Sequence, residues 1–132
     1  MPGLERSLQE IEGNDWGDPQ PDATRLISTV LELRRRPIGT LEVEDLRILL
    51  GQQVGVEVLV PLALDRLEDD PLAEGDFYPG DLLVSVLRLP AEHWRGHPDQ
   101  VRRMNDVIAA VPPEEVDRDL QGDISAFRSC MY

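Results

Sequence analysis

Cysteine is all but missing from this chain of 132 residues, where Cys130 stands alone. No disulfide can close within the chain and no cysteine cluster can hold a metal, so a reducing cytoplasm is the expected compartment. Long apolar runs are missing too. Nothing approaches the roughly 18 to 20 apolar residues of a membrane helix, and the first residues lack the basic and apolar regions of a signal peptide, so neither a span nor a leader is expected. Lysine is absent: all 13 cations are arginine, and 26 carboxylates outnumber them to leave a net charge of −13. A field of that sign repels nucleic acid and anionic membrane surfaces and favours a basic partner. Strand alternation is lacking as well, and no NG or DG dipeptide marks a hairpin.

What remains is helix. With 41% hydrophobic residues the chain can bury a core of its own, and it is expected to fold as one all-α domain, a compact bundle of about five to six short helices. Residues 1–22 carry Pro2, Gly3, Gly13, Gly17, Pro19 and Pro21 and read as a mobile lead-in with at most a short helix over 4–12, leaving 23–132 as the helical domain. Trp16, in this lead-in, reads as an aromatic pinned against the body rather than a partner-binding anchor.

Leu26, Ile27, Val30, Leu31 and Leu33 or Arg34 recur at helical spacing within 24–36, with Thr24 as a cap and Pro37 as a stop. Arg34, Arg35 and Arg36 crowd its last turn, where cations complement the helix dipole. A helix of about eight residues then starts at the acids Glu42, Glu44 and Asp45, buries Leu46, Ile48, Leu49 and Leu50, and ends at Gly51 or Gly55. Within 56–70, Val56, Leu59, Val60, Ala63, Leu64 and Leu67 form one stripe. Pro61 leaves two options there: a helix from Val56 that kinks, or one that begins near Val60 after an extended VEVLV. Asp81 is placed to cap a helix over 82–88, with Phe77 and Tyr78 as the hydrophobic plug of the preceding loop. LPAEHWRGHP reads as a linker with Trp94 packed on the core, and helices over 98–110 and 114–128 complete the chain.

Patterns that carry catalysis or metal binding fail one by one. His93 and His97 stand four apart, but Gly96 and Pro98 spoil the helix that would aim both at one ion, and no HExxH glutamate accompanies them; two loop histidines and no metal are expected. Asp117, Asp119, Gly122 and Ile124 fit the first, third, sixth and eighth positions of an EF-hand loop, yet Gln121 stands at the fifth and Arg128 at the twelfth, where the bidentate Glu belongs. The acids there read as a solvated helix face broken at the glycine. Neither histidine lies beside a nucleophile turn, and no Gly-rich phosphate loop is present, so no catalytic residue, no cofactor and no enzyme are expected.

The densest feature is acidic. Asp65, Glu68, Asp69, Asp70, Glu74, Asp76 and Asp81 are opposed only by Arg66, between two apolar helical runs. Glu68, Asp69, Asp70, Glu74 and Asp76 form the candidate partner-binding tip of that hairpin. Its ordered pieces also carry a resemblance. LRRRPIGTLEVEDLRILLGQ at 33–52, LVPLALDRL at 59–67, DPL at 70–72 and GDFYPGDLL at 75–83 together resemble the contact-dependent growth inhibition immunity proteins, over about half of the chain, 31–94. The resemblance implies a small cytoplasmic protein that binds and neutralises a cognate toxin domain by direct contact, with GDFYPGDLL as a structural signature and not a catalytic site. From charge, that toxin is expected to be basic. A helical adaptor or regulatory binding module is the alternative. The oligomeric state is left open.

Overall fold

In the computed structural model, which describes residues 4–130, the helices are α1 Leu8–Glu12, α2 Arg25–Leu33, α3 Val43–Gly51, α4 Val56–Asp69, α5 Asp81–Leu87, α6 Ala91–Arg95, α7 Pro98–Ala110 and α8 Arg118–Cys130. Single 3₁₀ turns at Ile38–Thr40 and Pro113–Glu115 join α2 to α3 and α7 to α8. The fold is all-α, as expected. It has more helices than the expected five to six, because the one-turn helices α1 and α6 lie in stretches read as lead-in and linker.

The centre is α3, α4 and α5 packed on one another, with α7 laid on α4, α8 on α5 and α2 on α3. Leu59, Val60, Ala63, Leu64 and Leu67 of α4 are all buried, the outcome of three- and four-residue spacing. Pro61 does not delay this helix. It starts at Val56 after Gly55, in the left-handed region at φ +66°, and runs through the proline, which removes only the N–H that Glu57 would have received. The seven-residue α5 is apolar nearly all round, with Leu82, Leu83, Val84, Val86 and Leu87 buried between α3, α4 and α8.

Part of the lead-in belongs to the core. Ser7 and Glu10 form a capping box that starts α1, the Ser7 Oγ accepting from Glu10 N–H at 3.2 Å and Glu10 Oε1 accepting from Ser7 N–H at 3.0 Å. Leu8 is fully buried against Gly55, where any Cβ would strike its methyl groups. Backbone bonds from Gln9 to the Arg34 carbonyl, from Ile38 to that of Arg6 and from Gly39 to that of Leu4 tie the segment down.

Arg34 corrects the reading of the arginine run. Its side chain is 1% exposed and ion-paired with Glu12; it also donates to the Asn14 carbonyl at 2.6 Å and lies 3.9 Å from the Trp16 ring centroid. It is therefore an internal clamp on residues 12–16, while Arg35 and Arg36 lie beyond the last turn of α2, which ends at Leu33, and pair at the surface with Asp18 and Glu32. Leu26 and Ile27, expected inside, face outward, because α2 turns Val30, Leu31 and Leu33 to the core. At the other end α8 begins at Arg118, its first turn capped by Asp117, which accepts from Leu120 N–H at 2.8 Å, and Gly122 lies within the helix rather than breaking it.

Candidate interaction surface

The acidic loop between α4 and α5 is held from beneath by one carboxylate. Asp81, 2% exposed, accepts from Gly75 N–H at 2.7 Å and Phe77 N–H at 3.2 Å. It does not cap α5 as expected: the residue at the cap is Gly80 at φ +92°, and Asp81, as the first helical residue, turns its oxygens back into the loop. Arg47 of α3 stands 3.7 Å away and is gripped in turn by Glu44 through two hydrogen bonds of 2.6 Å. Glu44 also accepts from Asp76 N–H at 2.9 Å. These contacts give GDFYPGD a physical role, since Gly75 is squeezed between the Glu44 and Asp81 carboxylates, where a Cβ would collide with both.

Arg47 holds the Glu44 carboxyl below its ordinary pKa by hydrogen bonding, and Glu44 raises that of Arg47 for the same reason. The pair therefore stays ionised, and its guanidinium lies 4.3 Å from the centroid of the Phe77 ring. Phe77 and Tyr78 are not a plug. They are 70% and 48% exposed, turned out to solvent by backbone that is anchored on the side facing the core. Exposed aromatics on tethered backbone lose little conformational freedom on contact with a partner.

The five candidate acids are all exposed, and their immediate surroundings differ. Glu68, with Asp65, grips Arg103 of α7 at 2.7 to 2.9 Å, which lowers the pKa of Glu68 through that hydrogen bond and raises that of Arg103. Asp69 ends α4, and Asp70 turns the chain by accepting from Leu72 N–H at 3.1 Å. Glu74 and Asp76 meet Glu42 and Glu44 across a shallow acidic cleft that also contains Arg66. Phe77 and Tyr78 also line a pocket with Arg47, Gln53, Ser85 and Arg88. Sequence reasoning missed Glu42, Glu44 and Arg47 as neighbours of the loop; the Glu44-x-x-Arg47 spacing on a helix was the available signal.

A second cluster lies at the turn from α6 to α7. Trp94 is buried, edge-on to Phe127 at 5.0 Å, and the neighbouring His93 is stacked on His97 with ring centroids 4.3 Å apart. No continuous helix is needed for this approach. Gly96 ends α6, His97 is the cap of α7 with Pro98 in its first turn, and the two rings meet across the corner, contrary to the reading of separate loop histidines. His97 Nε2 lies 2.9 Å from a carboxylate oxygen of Glu57, and the pKa of His97 is raised, first by the His93 carbonyl that accepts from its Nδ1 at 2.6 Å and then by Glu57. Among the described residues, these three side chains are the group whose donor atoms converge closely enough to hold a metal ion.

No helix of the described residues is long and apolar enough to cross a membrane. A profile of the CDI immunity proteins matches residues 10–104, over two thirds of the chain. No curated protein and no solved structure matches it.

Proposed function

Because the chain belongs to the CDI immunity protein family, the proteins of contact-dependent growth inhibition, we propose that it neutralises one cognate toxin domain in the cytoplasm by covering a functional surface of that toxin. The match over residues 10–104 carries this reading. The net charge of −13 supports a basic partner, which an acidic surface attracts over long range and orients before contact.

The contact surface is the α4–α5 loop. Phe77 and Tyr78 act as anchors, and Asp69, Asp70, Glu74 and Asp76 supply the acidic rim, joined by Glu42 and Glu44 from α3. Anchors held in their bound conformation, with charge around the edge, are what binding hot spots require. Glu68 takes a different part: its bond to Arg103 ties α4 to α7, so it supports the surface rather than steering the partner. The protein performs no chemistry in this role. Neutralisation is occlusion, and its strength is set by how slowly the complex dissociates.

The test is co-purification of this protein with the C-terminal domain encoded immediately upstream, scored together with rescue of cells that express that domain. A stable complex with rescue supports immunity; failure of both moves the reading to a helical adaptor module. Within a complex, reversing Asp69, Glu74 and Asp76 to Arg should slow association at low salt by about tenfold or more and flatten its salt dependence. Phe77→Ala should instead speed dissociation. Unchanged kinetics in both variants would remove the loop from the interface.

A further inference from the structure

We propose that Glu57, His93 and His97 form a binding site for a divalent transition metal ion of the Zn²⁺ type, joining the start of α4 to the α6–α7 corner. The protons and lone pairs of the two rings carry the inference. The His93 backbone carbonyl can only accept, so the 2.6 Å bond from His97 places a proton on Nδ1 of that ring and leaves its Nε2 as the free donor atom. That Nε2 lies 2.9 Å from Glu57 Oε2. His93 Nε2 is committed to the Gln100 side-chain oxygen at 2.7 Å, which leaves Nδ1 as the lone-pair nitrogen. With one proton on each ring, both are therefore held by an outer partner in the tautomer whose lone pair points toward Glu57, as histidine ligands are held around metals, and a metal ion would displace any second proton on His97.

A second observation points the same way. His93 is 8% exposed, and its Nδ1 is buried without a hydrogen-bond partner, 3.9 Å from Glu57 Oε1. A proton on His97 Nε2 would satisfy the contact with Glu57 but would leave His93 Nδ1 as it is. One cation among the three satisfies both nitrogens and the carboxylate together. All the donor atoms lie within 4.8 Å of one another, whereas a tetrahedral ion with bonds of about 2.0 to 2.1 Å sets its donors about 3.3 Å apart. Seating the ion thus requires a small closure and some opening of the 20° ring stack. The Glu57 and His97 side chains have the exposure to make that movement, while buried His93 stays fixed. Two imidazoles and a carboxylate suit Zn²⁺, Ni²⁺ or Co²⁺ and leave a position open to water or to a partner's side chain.

The chain has no other histidine, so the experiment is clean in a protein without an affinity tag. The full chain, stripped with a chelator, is titrated with ZnCl₂ against a chromophoric competitor, and with CoCl₂ for its visible ligand-field bands. The expected result is one Zn²⁺ per chain and an intense, low-coordinate Co²⁺ spectrum. His97→Ala should weaken affinity about 100-fold, and Gln100→Ala, which touches only the outer partner, about tenfold; Glu57→Gln should also weaken it by tenfold or more, and Glu92→Gln should leave it unchanged. In the wild-type chain, the ring resonances of both histidines should shift together, saturating at one equivalent of Zn²⁺, a readout that does not depend on any variant folding. Absence of binding, equal affinity in the wild type and the Glu57→Gln/His97→Ala double variant, or stationary histidine resonances would overturn the site.

Discussion

Replacing Asp81 with Asn tests whether one buried carboxylate holds the α4–α5 loop. The change keeps the shape of a side chain that is 2% exposed, but it substitutes an N–H₂ group for one of two oxygens that accept from Gly75 and Phe77. One backbone N–H then faces a donor, and the other keeps a neutral acceptor in place of a charged one. A hydrogen bond to a charged group is worth about 1.5 to 3 kcal/mol, and leaving a buried donor unpaired falls in the same range. The expected loss is about 2 to 3 kcal/mol, since Arg47 retains Glu44 as its partner. Between the slopes for smaller and larger domains, this lowers the melting temperature by about 10 °C. Urea denaturation measures the loss, and amide hydrogen exchange places it: Phe77 and Gly75 should exchange faster by more than the global change accounts for, while Leu64 in α4 follows global stability alone. A variant within about 0.5 kcal/mol of the wild type, with unchanged exchange at Phe77, would refute the claim that Asp81 organises the loop.

Further outcomes follow from the same contacts. Glu12→Gln leaves the buried Arg34 guanidinium with only neutral partners, and should destabilise by about 2 kcal/mol, below the range for a fully buried pair because Glu12 is one-third exposed; Arg34→Met in the same background should restore part of that loss in urea denaturation. Leu8→Ala empties a fully buried site against Gly55 and should lower stability by about 3 kcal/mol by the same measurement, as would not be seen if α1 were loosely attached. The folded-state pKa of Glu44 lies below its ordinary 4.5 because Arg47 hydrogen-bonds it. That contribution is present above 4.5 and is lost as pH falls through the folded value, so the gap in melting temperature between wild type and Glu44→Gln should be constant near neutrality and shrink below pH 4.5.

The helices were legible wherever a segment had to bury one stripe. The Leu59, Val60, Ala63, Leu64, Leu67 pattern and the Thr24 cap are local features, and the structure keeps both. Side chains whose environment is supplied by distant residues were not legible. Arg34 sits in a run of three arginines that look equivalent in sequence, and only the return of residues 12–16 across α2 singles it out. Asp81 has the spacing of a cap, but the left-handed Gly80 rotates it into the loop, where the N–H groups of Gly75 and Phe77 each donate to one of its oxygens. Read as loop residues, His93 and His97 have no reason to meet, whereas a corner between two helices brings their rings together, and the third group, Glu57, lies 36 residues before His93.

Burial of α5 explains why the loop before it turns Phe77 and Tyr78 outward. A seven-residue helix that is apolar nearly all round can be covered only if α3, α4 and α8 close on it, and α8 also brings Phe127 onto Trp94 and Asp123 to Arg88. The chain entering α5 then has no room inside. Gly80 turns it sharply, Asp81 fixes the backbone of Gly75 and Phe77 from within, and the side chains of Phe77 and Tyr78 are left on the outside. The family match ends inside α7, so α8 lies beyond it, yet α8 is what seals α5 and Trp94. A chain ended after α7 would therefore expose Trp94 and loosen the support of the loop, which makes the unmatched C-terminal helix a structural requirement for the surface proposed to meet the toxin.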